Sequence, residues 1–502
     1  MLIEKYKKIA QELPNKTAII FNEHTITYAQ VDEITNKLAN GLSGIGLKRG
    51  DRIALLMPNL PHFIFSYYAA LKIGAIISPI NYTLEKDDLN HVLKNLNPRA
   101  IICWEGFTQA IDQVRDWGEM KPILICLGKT SNSAEFNLIE LIASSAPDFV
   151  FSGMNADDVA VIQYTSGMSE LPVGVELSYR NLSASANRTA DFFRFTGDDV
   201  FGAILPLFLI SCQNIILNSA LSLGSSVVLH AKLDYEKIAR EIDQTGTTVL
   251  VASADVYASL LKIDPQILKG QSLKFCLSSW TPVPDQLASD FKNRFNVPLL
   301  NCYGLTESGG IVCSNHPSLD VRNDSVGVPL AGLEIQIHNA RGDEVEPNVI
   351  GEVAILSQDV LKGYWNDTDL MSKRLKNGWL YTGDLGKKDE LGYIYIGEKK
   401  SDVIVKSGFL IYTKEIEDVL LNHPKIKDAA VISIPHPDHK EDVAACLVLK
   451  KNETVTVHEI IEFCKNHMPV YKCPQVIKFY NELPRNKIGQ ILRRKLKQNP
   501  NS

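Results

Sequence analysis

The sequence predicts an α/β protein in which most of the chain forms parallel sheets covered by helices. Short β-branched runs alternate with amphipathic helical segments, as in "RIALLMP", "HFIFSYYAALKIG" and "AIISPI". Strands separated by helices form βαβ units, which bury a mostly parallel sheet on both faces. After about Asp320 the pattern changes to alternating segments with tight Gly-Asp and Glu-Leu-Gly turns. Such turns are typical of antiparallel hairpins.

The end of the chain predicts a second, compact unit. The charged stretch "EKKSDVIVKSG" interrupts the earlier pattern. Beyond it we predict a helix at "TKEIEDVLLNHP", strands at "AAVISIP" and "VAACLVLK", a helix at "VHEIIEFCKNH" and a basic tail. We therefore predict a body spanning residues 1–400 and a cap spanning residues 401–502, the latter an ordinary domain size.

The composition argues against several classes of protein. A net charge of −6 provides no basic surface for nucleic acid. The N-terminal stretch "MLIEKYKKIAQELPNK" lacks the apolar segment of a signal peptide. Nine cysteines without a C-x-x-C pair argue against a disulfide framework or a zinc site and favour a reducing cytoplasm.

Two apolar stretches resemble membrane spans only superficially. "FIFSYYAALKIGAIISPI" contains Lys72, and "LPLFLISCQNIILNSALSLGSSVVL" contains Gln213, Asn214 and Asn218. These side chains are costly in hydrocarbon. We therefore expect buried helix–strand pairs and no integral membrane segment.

Several short motifs suit nucleotide chemistry. "YTSGMSELPVGV" is a hydroxyl- and glycine-rich loop after a predicted strand, and such a loop can hold phosphate with its backbone. "NCYGLTES" contains Glu307, a hard oxygen ligand suited to Mg²⁺, and "GWLYTGDLG" contains Asp384, which can accept hydrogen bonds from ribose hydroxyls. Taken singly, each has a structural explanation: a solvated loop carboxylate for Glu307, a turn aspartate for Asp384 and a core aromatic for Tyr303.

Taken together and in order, these motifs resemble the adenylate-forming superfamily of acyl-CoA synthetases and ligases. The similarity begins at "GLKRGDRIALLMPN", includes "DELGYIYIGEKKSDVIVKSGFLIYTKEIEDVL" and ends at "LPRNKIGQILRRKL". It implies a large N-terminal domain of two doubly wound sheets with a small β-barrel-like subdomain, and a small mobile α+β cap. It also implies two half-reactions. A carboxylate first displaces pyrophosphate from ATP to give an acyl-adenylate, and after rotation of the cap a thiol displaces AMP.

The resemblance also implies the roles of individual residues. The implied nucleotide-binding residues are Thr165, Ser166, Gly167, Ser169, Tyr303, Gly304, Asp384 and Lys399. The implied catalytic residues are Thr306 and Glu307, which would also bind Mg²⁺, with Lys399 and Gln490. The implied acyl-pocket residues are Leu209, Trp280 and Thr281, and Ser401 is the implied hinge.

The chain departs from the family pattern at positions that carry positive charge. Val173 stands where the phosphate loop has a lysine, and Gln490 stands where the cap has its catalytic lysine. Loss of a preorganised charge costs roughly 10²–10³-fold in rate. Lys399 replaces an arginine and keeps the charge without the bidentate fork. The loop also contains Glu170, which would repel phosphate unless it turns outward or binds a cation.

Two further departures concern the acyl pocket. Leu209 stands where the family often has a histidine, and Ser279-Trp280 replaces a Gly-Gly pair. A bulky indole there favours a short or compact acid.

We therefore favour an acyl-CoA synthetase-like ligase with a slow or atypical reaction. It would use ATP, yielding AMP, with Mg²⁺ as cofactor and coenzyme A as co-substrate. Its partners would be a small carboxylic acid and, as a second option, a carrier protein, and a homodimer is left open. Two alternatives remain: a catalytically silenced homologue that binds a nucleotide, an acyl-adenylate or a protein partner, and an enzyme that passes the acyl group to an amine.

Overall fold

The computed structural model describes residues 2–114, 117, 121–129, 134–165, 171–279, 283–406, 409–436, 440–485 and 491–498. It is a mixed α/β structure, which confirms the predicted fold class. The chain divides into two compact units. The first comprises Met1–Gln336, Ala354–Thr382 and Lys388–Tyr395, and the second comprises Ile337–Val353, Gly383–Lys387 and Ile396–Ser502. The second unit therefore includes two short segments that precede residue 400, and the boundary at 400 and 401 stays a prediction.

The described strands are, in chain order, β1 (Thr17–Phe21), β2 (His24–Thr27), β3 (Arg52–Leu56), β4 (Ile76–Pro79), β5 (Ala100–Trp104), β6 (Ile123–Leu127), β7 (Phe136–Asn137), β8 (Val159–Thr165), β9 (Val173–Ser178), β10 (Val200–Ala203), β11 (Ser226–Leu229), β12 (Val249–Ala252), β13 (Phe275–Ser278), β14 (Leu299–Leu305), β15 (Gly310–Ser314), β16 (Val328–Pro329), β17 (Glu334–His338), β18 (Gly351–Leu356), β19 (Gly363–Tyr364), β20 (Leu375–Lys376), β21 (Trp379–Lys388), β22 (Ile394–Lys399), β23 (Ile404–Lys406), β24 (Phe409–Ile411), β25 (Ile426–His436), β26 (Lys440–Leu449) and β27 (Val476–Phe479).

The described α-helices are α1 (Leu2–Glu12), α2 (Tyr28–Gly44), α3 (Pro61–Lys72), α4 (Lys86–Leu96), α5 (Thr108–Asp112), α6 (Leu138–Ala143), α7 (Tyr179–Phe193), α8 (Ile210–Cys212), α9 (Ala220–Leu223), α10 (Tyr235–Thr245), α11 (Ala254–Leu261), α12 (Asp285–Phe295), α13 (Thr368–Arg374), α14 (Thr413–Leu421), α15 (Val457–His467) and α16 (Arg493–Gln498). A π-helix at Gln213–Ser219 joins α8 to α9. Short 3₁₀ turns span Glu105–Phe107, Thr306–Ser308, Lys400–Asp402 and Val470–Lys472.

One sheet of the first unit has strand order β16-β15-β14-β13-β12-β10-β11-β1-β2. Its central pairs, from β1–β11 through β13–β14, are parallel. Strands β11 and β12 are buried at every position, as expected where helices cover both faces. The apolar runs "TTVLVAS" and "LKFCLSS" thus form strands as predicted. Strand β14 then leaves the parallel order by pairing antiparallel with β15.

A second sheet of the first unit has order β19-β9-β8-β4-β3-β5-β6-β7. The pairs from β8 through β7 are parallel, whereas β8–β9 and β9–β19 are antiparallel. The two sheets therefore each end in an antiparallel hairpin that carries a predicted motif.

The remaining sheets contain the hairpins predicted after Asp320 and the predicted cap strands. A third sheet has order β17-β18-β21-β20, with β22 paired to β21, and a fourth has order β24-β23-β26-β25, with β27 paired to β26. The predicted helix "VHEIIEFCKNH" is α15, and it begins with a capping box in which Thr456 and Glu459 satisfy each other's backbone N–H groups. Among the described residues, no helix combines the length and apolar character needed to cross a membrane.

Candidate functional site

The predicted phosphate loop connects the two strands of an antiparallel hairpin. Thr165 ends β8 and pairs with Val173, the first residue of β9. Residues 166–170 lie outside the described residues, so the predicted positions Ser166, Gly167 and Ser169 stay predictions. Val173 is half-buried at the foot of the loop, where its isopropyl group contributes no charge.

The Tyr-Gly-x-Thr-Glu motif occupies the end of β14 and the 3₁₀ turn that follows. An added Cβ on Gly304 would lie 2.3 Å from the carbonyl oxygen of Gly310, so only glycine fits here. The Ser308 hydroxyl donates to the carbonyls of Leu305 and Gly310 at 2.9 and 2.8 Å and fixes the turn. Both β8 and β9 contact this turn. The structure therefore brings both strands of the hairpin that carries the phosphate loop next to the Thr306–Glu307 turn.

Glu307 is buried and already has partners. Its Oε1 accepts a hydrogen bond from the Tyr364 hydroxyl at 2.9 Å and lies 3.6 Å from the Arg374 Nη2. Burial, and secondarily the Glu307 carboxylate, raises the pKa of Tyr364, so this hydroxyl stays a donor. The Leu361 N–H donates to the Glu307 carbonyl at 2.6 Å. The segment from Leu361 to Arg374 thus surrounds the predicted metal ligand.

This arrangement is not a preformed magnesium cage. Magnesium prefers several oxygen ligands, whereas the described partners of Glu307 are a hydroxyl donor and a guanidinium. Over the described ranges, no group of three or more His, Cys, Asp or Glu side chains is placed to hold a metal ion. The assignment of Thr306 and Glu307 as magnesium ligands stays a prediction that this geometry does not favour.

Asp384 and Lys399 form an ion pair in the second unit. The Lys399 Nζ lies 2.6 Å from the Asp384 Oδ1. Asp384 is buried, whereas the Lys399 side chain is 39% exposed and can follow a ligand. Next to them the Glu352 carboxylate accepts from the Gly383 N–H at 3.0 Å and from the Lys400 Nζ at 2.8 Å. The two predicted ribose-binding residues are therefore neighbours, and their contact with ribose stays a prediction.

The predicted hinge residue Ser401 is exposed in the 3₁₀ turn Lys400–Asp402. Before this turn, the Glu398 carboxylate accepts from the Thr413 N–H and hydroxyl at 2.9 and 2.7 Å, and its burial raises the Glu398 pKa. After it, Asp402 lies 3.7 Å from the Arg493 guanidinium. Both flanks of the turn are anchored, whereas Ser401 itself is open. Gln490 lies outside the described residues.

The predicted acyl-pocket residues are described only in part. Leu209 is half-buried directly before α8, where its N–H donates to the Pro206 carbonyl at 3.1 Å. The preceding Phe208 contacts the Tyr82 ring edge-on at 5.1 Å. Trp280 and Thr281 lie outside the described residues, so their pocket roles stay predictions.

A buried chain of amides was missed by the sequence analysis. The Gln213 Nε2 donates to the Gln163 Oε1 at 2.9 Å and to the Phe208 carbonyl at 3.2 Å. The Asn214 Nδ2 donates to the Gly309 carbonyl, and Asn218 donates to the Asn214 Oδ1 at 2.6 Å. The donors lie on the π-helix, a form that occurs frequently at functional sites. Three amides in an otherwise apolar helix were the available sign of a buried polar network. We used them only to argue against a membrane span.

Tyr364 and Arg374 were also missed. They lie in "GYWNDTDLMSKR", where the sequence offers no signal that an arginine faces the interior.

Comparison with known proteins finds family models and relatives that match this chain. A family model described as AMP-binding enzyme matches residues 6–365, and a model described as AMP-binding enzyme C-terminal domain matches residues 415–490. A long-chain-fatty-acid–CoA ligase of Escherichia coli O157:H7 is 27% identical over 99% of this chain and 94% of that ligase. A crotonobetaine/carnitine–CoA ligase of Salmonella arizonae is 29% identical over 99% of this chain and 98% of that ligase.

The solved structures agree with the sequence comparisons. The crystal structure of ATP-bound MatB from Rhodopseudomonas palustris superimposes with a TM-score of 0.87 at 27% identity, covering 99% of each chain. Because the first family model alone spans most of the sequence and the second covers the cap, the chain belongs to the AMP-binding enzyme family.

Proposed function

We propose that this chain activates a carboxylic acid with ATP as an acyl-adenylate and then passes the acyl group to a thiol. In the first step a carboxylate oxygen bonds to the α-phosphorus, and the bond from that phosphorus to the bridging oxygen breaks, releasing pyrophosphate. In the second step the sulfur bonds to the acyl carbon, AMP leaves with the carboxyl oxygen, and the thiol proton is released. Coenzyme A or a carrier protein supplies the thiol.

The observation that carries this proposal is the convergence of motifs in the first unit. The hairpin that holds the phosphate loop contacts the turn that carries Thr306 and Glu307. Two segments that are distant in sequence are thus neighbours, and we infer that the loop between β8 and β9 binds polyphosphate beside this turn. The full-length similarity to acyl-CoA ligases supports the same chemistry.

Two residues of the second unit are also assigned to the nucleotide in this proposal. Asp384 accepts hydrogen bonds from the ribose hydroxyls, and Lys399 moves from Asp384 toward the phosphates. Magnesium enters bound to the ATP substrate. We place the reaction in the cytoplasm, which the described cysteines support because all of them are free thiols.

Isotope exchange between pyrophosphate and ATP tests the first step. The assay uses a panel of short, branched and aromatic acids with wild type and the double variant Val173→Lys/Gln490→Lys. We expect slow, acid-dependent exchange by wild type and an increase of roughly 10²-fold or more in the double variant. Asp384→Asn is the control for nucleotide binding. Absence of exchange with every acid in both proteins would refute adenylation.

A silenced, nucleotide-binding homologue is the second candidate function. The observation that favours it is the apolar side chain of Val173 at the foot of the loop, together with Gln490 in the cap. Because the missing lysines serve the outer phosphates, this candidate predicts by calorimetry that AMP binds more tightly than ATP. Brisk exchange by wild type would exclude it.

A further inference from the structure

The ion pair between Glu307 and Arg374 suggests how this chain differs from a ligase with a metal-bound glutamate. We propose that Arg374 is the resident cation of Glu307, so that the protein holds no metal ion there and binds ATP with little help from magnesium. The part of this inference that concerns ATP rests on the proposed function, whereas the part that concerns the metal does not.

Both side chains of the ion pair are buried. The Arg374 and Glu307 side chains are each 6% exposed, and their closest atoms are 3.6 Å apart. The Tyr364 hydroxyl donates to the same Oε1 at 2.9 Å. A buried carboxylate with a guanidinium and a hydroxyl donor is neutralised and hydrogen-bonded, whereas the same carboxylate alone would be strongly destabilising.

The fold holds Arg374 in place. Arg374 is the last residue of α13, where the exposed carbonyl ends of the helix favour a cation. The helix is capped by Asp367, whose side chain accepts from the Leu370 N–H at 2.9 Å. Upstream, Tyr364 is fixed by the pairing of β19 with β9. Hydrogen bonds and strand pairing therefore hold the segment that carries Arg374 in place.

A metal ion at Glu307 would face this guanidinium. Two cations within a few ångströms of each other repel strongly where water is excluded. Metal binding would therefore require Arg374 to leave its buried position. Among the described residues, no cluster of three or more His, Cys, Asp or Glu side chains is present at the pair to offset that cost.

Manganese binding without nucleotide tests the metal part. Electron paramagnetic resonance with about 1 mM Mn²⁺ counts protein-bound ions in wild type, Arg374→Met, Arg374→Lys and the double variant Glu307→Gln/Arg374→Met. We expect no Glu307-dependent ion in wild type or Arg374→Lys. Arg374→Met should bind one ion, with at least about a tenfold gain in affinity, and should show a rise in melting temperature on adding Mn²⁺. The double variant should lose both effects.

A wild-type protein that binds Mn²⁺ at this position, with loss of the ion in Glu307→Gln, overturns the inference. This comparison does not depend on whether the Arg374 variants fold. The inference is also overturned if Arg374→Met folds but does not bind Mn²⁺. In that case removing the guanidinium from Glu307 would not create a metal site.

Calorimetry of ATP in EDTA and in excess Mg²⁺ tests the nucleotide part. We expect the wild-type Kd to differ by less than about threefold between the two conditions and the Arg374→Met Kd to differ by more than about tenfold. A tenfold magnesium dependence in wild type overturns the inference. Absence of ATP binding in either condition refutes the proposed function and the nucleotide part, whereas the manganese experiment still decides the metal part.

Discussion

Gly304 shows how packing alone can fix a residue inside a functional motif. Its position in β14 lies against the backbone of Gly310, where a Cβ would be 2.3 Å from the carbonyl oxygen. Backbone cannot yield as a flexible side chain does, so a larger residue must displace β15.

We predict that Gly304→Ala lowers the free energy of unfolding of the first unit by about 1–3 kcal/mol or more. Urea denaturation followed by tryptophan fluorescence measures the change. Gly44→Ala is the matched control, because no atom of the described part of the chain lies within 4 Å of its added Cβ. That variant should be neutral or gain roughly 0.5–1 kcal/mol through helix propensity. Equal stabilities of the two variants would contradict the account.

Lys72 shows a different effect at a single residue, because it is a buried cation. It is 1% exposed, and its Nζ contacts Asp32 and Thr35 at 2.7 Å and Asn36 at 2.6 Å. Burial lowers the pKa of Lys72 from 10.5 to about 8, although Asp32 acts in the opposite direction. Between these two pKa values the unfolded chain binds more protons than the folded chain.

We therefore predict that stability relative to Lys72→Met rises with pH from about 8 to 10.5, because the buried lysine becomes neutral in the folded state first. The expected gain is on the order of 3 kcal/mol. Urea midpoints of both proteins across this range measure it, with the variant serving as the reference for all other titrating groups. Parallel pH profiles would show that Lys72 keeps its proton.

At the scale of elements, the π-helix connects the interior of the first unit to the Thr306–Glu307 turn. Asn214 donates to the Gly309 carbonyl at the end of that turn and accepts from Asn218. Loss of one member leaves the others buried without partners, which costs about 1–3 kcal/mol per group.

We predict that Asn214→Ala destabilises the first unit by this amount and weakens ATP binding several-fold, because the turn loses its support. Ser183→Ala is the matched control, since the buried Ser183 hydroxyl has no hydrogen-bond partner among the described residues and its removal should be neutral or stabilising. Thermal unfolding and nucleotide calorimetry on both variants provide the readouts. A normal ATP affinity in a destabilised Asn214→Ala protein would limit the amide chain to a structural role.

Elements with continuous apolar runs, such as β12 and β13, could be predicted from sequence because burial on both faces dictates their composition. The helix α15 was also predicted from sequence, and the structure adds the capping box at its start. The motif residues were predicted through family resemblance. The partners of Glu307 were not, because Tyr364 and Arg374 come from a distant segment and their approach depends on how β9 and β19 pair.

At the scale of the whole molecule, cations are redistributed relative to the family pattern. The phosphate loop and the cap lack the two expected lysines, at Val173 and Gln490. Meanwhile the predicted acidic site residues have cations of their own, Arg374 for Glu307 and Lys399 for Asp384. Each of these two carboxylates therefore has a positively charged partner, which reduces its repulsion of an anionic nucleotide.

Product analysis with the 502-residue chain decides whether this protein joins an acid to a thiol. The protein is incubated with ATP, magnesium, coenzyme A and a mixture of carboxylic acids, and the products are identified by mass spectrometry. We expect slow formation of the acyl-CoA of one acid in the mixture. One AMP should be released for each acyl-CoA, and no ADP should form. Release of ADP in place of AMP, or no product from any acid by wild type and by Val173→Lys/Gln490→Lys, would contradict this expectation.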